Sequence, residues 1–84
     1  MFGTVSKYDR VRSFGFILAD DPDQPDFFVC APFIEGKQRY LMTNWRVEFT
    51  PVETDKGFEA HDVRVIERVI ARQVSALPKT GGRP

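Results

Sequence analysis

Turn-forming residues interrupt this chain so often that only short strands fit between them. Asp20-Asp21-Pro22-Asp23-Gln24-Pro25-Asp26 is a turn by composition, because Asp favours turn starts and Pro presets φ. Ser13-Phe14-Gly15-Phe16-Ile17-Leu18-Ala19 before it and Phe27-Phe28-Val29-Cys30 after it are short, aromatic and apolar, which predicts a hairpin. Thr4-Val5-Ser6-Lys7-Tyr8 alternates polar and apolar residues and supplies a third strand. A less regular stretch with Pro32, Gly36 and Asn44 leads into a run where Trp45, Val47 and Phe49 recur at period two. Pro51 in that run lacks a backbone donor, so it predicts an edge or bulged position. Thr54-Asp55-Lys56-Gly57 reads as a tight turn, and Phe58 to Val65 returns with the same alternation. Five strands at close spacing with no helix among them predict an all-β fold, a small closed barrel.

With 84 residues the chain has room for one small domain and little room for an enclosed active site. Its single cysteine, Cys30, cannot form an internal bridge, and no paired His or second Cys offers a zinc geometry, so no cofactor or metal is expected. Met1-Phe2-Gly3-Thr4 begins no basic-then-apolar leader, and no apolar run approaches the roughly 20 residues of a membrane span. A soluble cytoplasmic protein is the expectation. The net charge is zero, which by itself argues against a phosphate-rich partner. The charges are not evenly spread, however. Lys7, Arg10 and Arg12 outnumber Asp9 in one stretch, and Lys37, Arg39 and Arg46 outnumber Glu35 in another, while acid gathers in the 20–26 turn and in 47–62. A neutral chain can therefore own a basic face.

In a strand, alternate residues share a face, so Arg12, Phe14 and Phe16 project together while Ser13, Gly15 and Ile17 point the other way. Ile17 and Val29 are the natural core residues. That choice leaves Phe14, Phe16 and Phe28 on the outer surface, where three large rings require a reason. Base stacking is one, at roughly 1–3 kcal/mol per base, with Lys7, Arg12 and Arg39 available to hold phosphates.

Gly3-Thr4-Val5-Ser6-Lys7-Tyr8-Asp9, Arg12-Ser13-Phe14-Gly15-Phe16-Ile17, Asp26-Phe27-Phe28-Val29, Val47-Glu48-Phe49 and Lys56-Gly57-Phe58-Glu59-Ala60 with Val63 together resemble the cold-shock domain family, in order and spacing, over residues 3 to about 65. The resemblance implies an oligonucleotide-binding (OB) fold, a five-stranded antiparallel barrel that binds single-stranded RNA or DNA through aromatics on its second and third strands. It assigns residues 1–66 to the barrel and leaves 67–84 as an extension. The first motif, in the family Lys-Gly-Phe-Gly-Phe, is here Arg12 to Phe16, and Lys7 stands where the family usually has Trp, with Tyr8 kept beside it. The second, in the family Val-Phe-Val-His-Phe, is Phe27-Phe28-Val29-Cys30-Ala31, so Phe28 remains and the stacking His and Phe are lost. Affinity should fall accordingly unless Phe33 and Tyr40, in the following loop, partly replace them. Asn44 takes a turn position typically held by Gly, and Asn tolerates the left-handed backbone next best. Trp45 beside it is expected to pack in the core.

The expected binding residues are thus Lys7, Tyr8, Arg12, Phe14, Phe16, Phe28, Cys30, Phe33, Arg39 and Tyr40, and catalysis is not expected. Cys30 would face the ligand as an inert thiol. His61 lacks a nucleophile and a pocket, so a surface or hydrogen-bonded structural role is expected. The acidic 20–26 turn lacks the Gly and terminal Glu of a calcium loop. In the tail, Ile66, Ile70, Val74 and Leu77 suit one amphipathic helix, the alternative being a last strand running to about Ile70, with residues 78–84 frayed. The leading function is a single-stranded nucleic-acid-binding protein, an RNA or DNA chaperone or transcription-linked regulator. The alternative is a protein-interaction module that uses Phe33, Tyr40, Trp45 and the tail for a partner or for self-association.

Overall fold

A computed structural model describes residues 1–68. Its strands are β1 (Phe2–Asp9), β2 (Phe14–Ala19), β3 (Asp26–Cys30), β4 (Arg46–Thr54) and β5 (Gly57–Glu67), with one 3-10 turn, Ala31–Phe33, after β3. Each expected strand is present. Ile66 belongs to β5, so the strand takes the first residue of the proposed tail helix; the rest of that helix, Ile70, Val74 and Leu77, lies outside the described residues.

The strands close into a ring in the order β1-β2-β3-β5-β4. The expectation of a purely antiparallel sheet is corrected at one seam: β3 and β5 run parallel, joined at Phe28 and Glu59. The reason is arithmetic. Hairpins alternate strand direction, and a closed ring with an odd number of strands cannot alternate all the way round, so one pair must be parallel. A parallel pair needs a crossover, supplied here by residues 31–45 together with the β4–β5 hairpin. A bridge between Ile34 and Val63, with Glu35 N–H donating to the Val63 carbonyl at 2.8 Å, continues the seam past the end of β3.

Alternation decides what enters the ring. Val5, Ile17, Phe27, Val29, Val47, Phe49, Ala60 and Val63 point inward and are buried, and Ile34 and Leu41 from the long connection fill the end. Trp45 is 6% exposed and joins this core as expected. Asn44 places it there: its φ is +77°, and its N–H bonds to the Val5 carbonyl while Val5 N–H bonds to the Trp45 carbonyl, each at 2.9 Å. Pro51 lies where β4 pairs with β5 alone, since β1 leaves β4 after Glu48, and a register shift precedes it between Glu48 and Thr50. Both parts of the sequence expectation, edge and bulge, apply.

Two glycines allow β1 and β2 to cross closely. A Cβ on Gly15 would strike the Lys7 carbonyl oxygen and lie 2.7 Å from the Tyr8 Cα, and one on Gly3 would lie 2.5 Å from the Leu18 carbonyl oxygen. The obstacles are backbone, which cannot move aside without breaking the ladder. Gly15→Ala is therefore expected to destabilise the domain by about 2–3 kcal/mol, lowering the thermal midpoint by roughly 10 °C or more in a circular dichroism melt.

Beside Gly3, Arg46 of β4 pairs with Thr4 and reaches across β1. Its guanidinium donates to Thr4 Oγ1 at 2.8 Å and grips the Asp20 carboxylate through both oxygens at 2.6 and 2.7 Å. The hydrogen bonds from Arg46 hold the Asp20 carboxyl below its ordinary value. A depressed carboxyl contributes stability at pH above its unfolded value, and loses it as pH falls through the folded one. In a carboxyl NMR titration Asp20 should titrate below the ordinary aspartate range, and Arg46→Gln should raise it towards that range.

Candidate nucleic-acid interface

The outward residues of β2 and β3 meet across their antiparallel pairing, Phe14 opposite Cys30 and Phe16 opposite Phe28. The inward partners Ile17, Phe27 and Val29 are sealed in the core, so the pleat leaves Phe14, Phe16 and Phe28 outside it, half-buried by one another. Phe28 lies between the other two. Its ring centroid is 5.9 Å from that of Phe14 at an interplanar angle of 30°, and 6.0 Å from that of Phe16 at 72°. Such offset and edge-on contacts are the arrangements that aromatic pairs favour.

The β1 edge brings the expected cations to this group. A bulge at Ser6, between the Val5–Ile17 and Lys7–Phe16 pairs, turns Lys7 to the Phe16 side, with its Nζ 5.7 Å from the ring centroid. Tyr8 pairs with Gly15, and its ring covers the place where a side chain would be. Burial raises the Tyr8 hydroxyl above its ordinary value, and Cys30 adds to the effect, so the phenol stays neutral. Lys7, Tyr8, Asp9, Arg12, Phe14 and Gly15 line a hollow of about 260 Å³. The loop at its lip is closed by Asp9, whose Oδ1 accepts from the N–H groups of Val11 (2.9 Å) and Arg12 (3.1 Å), and by Ser13 at φ +64°. Arg12 is largely exposed, 3.8 Å from Asp9. Arg39 comes to the same end, its carbonyl accepting a long 3.5 Å bond from the Tyr8 hydroxyl.

Cys30 continues the row beside Phe14. Burial pushes its thiol up, and the Glu59 carboxylate pushes it further, which keeps it protonated and a poor nucleophile. The two loop aromatics separate. Phe33 lies flat against His61 of β5, with centroids 4.0 Å apart and an angle of 23°. Tyr40 packs instead on Trp45, at 5.9 Å, with the Arg10 guanidinium 4.1 Å from its ring centroid. His61 also meets Glu59, Nε2 to Oε1 at 2.9 Å, in keeping with a hydrogen-bonded role.

The parallel seam adds residues that the strand-by-strand reading missed. Phe16, Asp26, Phe28, Lys56, Gly57, Phe58 and Glu59 line a cleft of about 640 Å³. Phe58 is 38% exposed there and meets the core edge-on through Phe27. The odd strand number signals in advance that one neighbouring pair must be parallel, but not that the pair is β3 and β5.

Among the described residues, no group of three His, Cys, Asp or Glu is placed to hold a metal, and no helix is long and apolar enough to cross a membrane. In the acidic turn, Asp20 is engaged by Arg46, and Asp21 accepts the Asp23 N–H at 2.9 Å. Comparison with curated proteins found none that matches. Residues 1–66 match the family model of the 'Cold-shock' DNA-binding domain, a stretch that spans nearly the whole closed sheet and every ring described above, and the chain belongs to that nucleic-acid-binding family.

Proposed function

We propose that this protein binds single-stranded RNA or DNA by stacking unpaired bases on Phe14, Phe16 and Phe28, without catalysis, as a cytoplasmic chaperone or transcription-linked regulator. The observation that carries the reading is the position of these three rings, outside a core that is complete without them. A duplex hides its base faces, whereas an unpaired strand offers them, so a stacking surface favours the single strand. Lys7, Arg12 and Arg39 at the β1 end supply positive charge for the phosphates. Two of the family's rings are replaced by Cys30 and Ala31, which lowers affinity and suits a module that binds and releases rather than one that holds tightly.

Fluorescence anisotropy with labelled oligo-dT or oligo-U tests this. Binding should weaken linearly in log K against log salt, and Phe16→Ala and Phe28→Ala should each cost about 1–3 kcal/mol. Unchanged binding in both variants would defeat the stacking reading.

A further inference from the structure

The β5 side of the aromatic face is chemically unlike the β1 side. At the parallel seam Glu59 pairs with Phe28, and the two share the cleft with Phe16 and Phe58. Glu59 and His61 occupy successive outward positions on β5, on either side of buried Ala60. His61 is fixed twice, by Phe33 against its face and by Glu59 at its edge. The consequence falls on Glu59. Its Oε1 is held by the imidazole, its side chain is only 23% exposed, and no hydrogen bond to its Oε2 exists among the described residues. A carboxylate so placed accepts hydrogen bonds and donates none.

The cleft also contains Asp26 and a single cation, Lys56. Two carboxylates against one ammonium turn a phosphate away and favour a neutral base that presents N–H groups. The five bases differ in what they present. Guanine carries two adjacent donors, N1–H and the N2 amino group. Thymine and uracil carry one N3–H between two carbonyl oxygens, both of which a carboxylate repels. Adenine and cytosine place one amino donor beside a ring-nitrogen acceptor. Single-stranded recognition reads these edges once the base is stacked.

We propose that Glu59, held in place by the Phe33–His61 stack, reads the edge of the base resting on Phe28 and makes that position prefer guanine to thymine or uracil. This rests on the stacking function proposed above and assigns its specificity. Phe33 and His61 act as positioning residues, and Glu59 makes the contact.

The test uses the full chain and labelled oligo-dT heptamers in which one thymine at a time is replaced by guanine. At one position guanine should tighten binding about tenfold, and inosine, which lacks the N2 amino group, should fall between the two. Glu59→Gln should bring the guanine-to-thymine ratio to about one, because the amide presents a donor as well as an acceptor. His61→Ala should lower the same ratio with little effect on oligo-dT. Equal wild-type binding of all heptamers would overturn this inference and leave the stacking function standing. A preference that survives Glu59→Gln but disappears in Asp26→Asn would also overturn it. Failure of every heptamer to bind would overturn both readings together.

Discussion

A ring of five strands has a narrow interior, and that narrowness governs everything else in this molecule. Only one residue of each alternating pair can enter, and the inward set, from Val5 and Ile17 to Val63, already fills the space. Phe14, Phe16 and Phe28 are consequently kept out by geometry rather than by preference. The same ring brings β1 and β2 so close that Gly3 and Gly15 cannot carry a side chain, which links the Gly-Thr-Val and Phe-Gly-Phe motifs to a single steric cause. The central glycine of Phe-Gly-Phe thus serves packing, and the flanking rings are what remains available to a ligand.

Local pattern made much of this legible. Period two placed Ile17, Val29, Val47 and Phe49 inside, Pro51 announced the edge of β4, and Asn44 marked a left-handed turn, because each signal depends only on neighbours in sequence. Pairings between distant segments were not legible in the same way. Nothing near Glu59 or His61 indicates that β5 will lie beside β3, and the ring stacked on His61 comes from residue 33. Arg46 is a second example. Its charge counted towards a basic stretch in the sequence, yet folding commits it to Asp20, in the turn after β2, and to Thr4 of β1, both far away in the chain. Ser13 and Asp62 are a third: both adopt positive φ, at +64° and +50°, without being Gly or Asn. Ser13 stands where the family motif has Gly, so its left-handed turn was foreshadowed by the motif and not by its own type. Asp62 sits at the register shift of β5 against β4, which only the pairing reveals.

The departures in the second motif also look different once folded. Cys30 and Ala31 remove a His and a Phe from the chain around the end of β3, and the rest of the surface there is not bare. A Phe from the 3-10 turn and a His from β5 lie stacked against each other beside the same strand end. The ring types lost at consecutive positions thus recur nearby on two separate elements. Their mutual stacking at 4.0 Å makes them a rigid pair rather than two free platforms. This pair can present an edge or hold a neighbour more readily than it can open to admit a base between its members.

Zero net charge is compatible with nucleic-acid binding because of how the charges are disposed. Several carboxylates are engaged internally: Asp20 by Arg46, Glu48 by Arg64, and Asp9 and Asp21 by the backbone N–H groups of their own turns. The β1 end of the aromatic face carries Lys7 and Arg12 beside Asp9, and the β5 end carries Asp26 and Glu59 beside Lys56. On the function proposed above, this polarity orients the ligand. A strand lying across Phe14, Phe28 and Phe16 gains by keeping its phosphates towards β1 and turning the donor edges of its bases towards β5. Reversing it would set phosphate against carboxylate across a partly desolvated cleft, where screening by salt is weakest. The acidic residues that cancel the net charge would then help to fix the direction in which the bases point, and their effect on binding would be selective rather than simply repulsive.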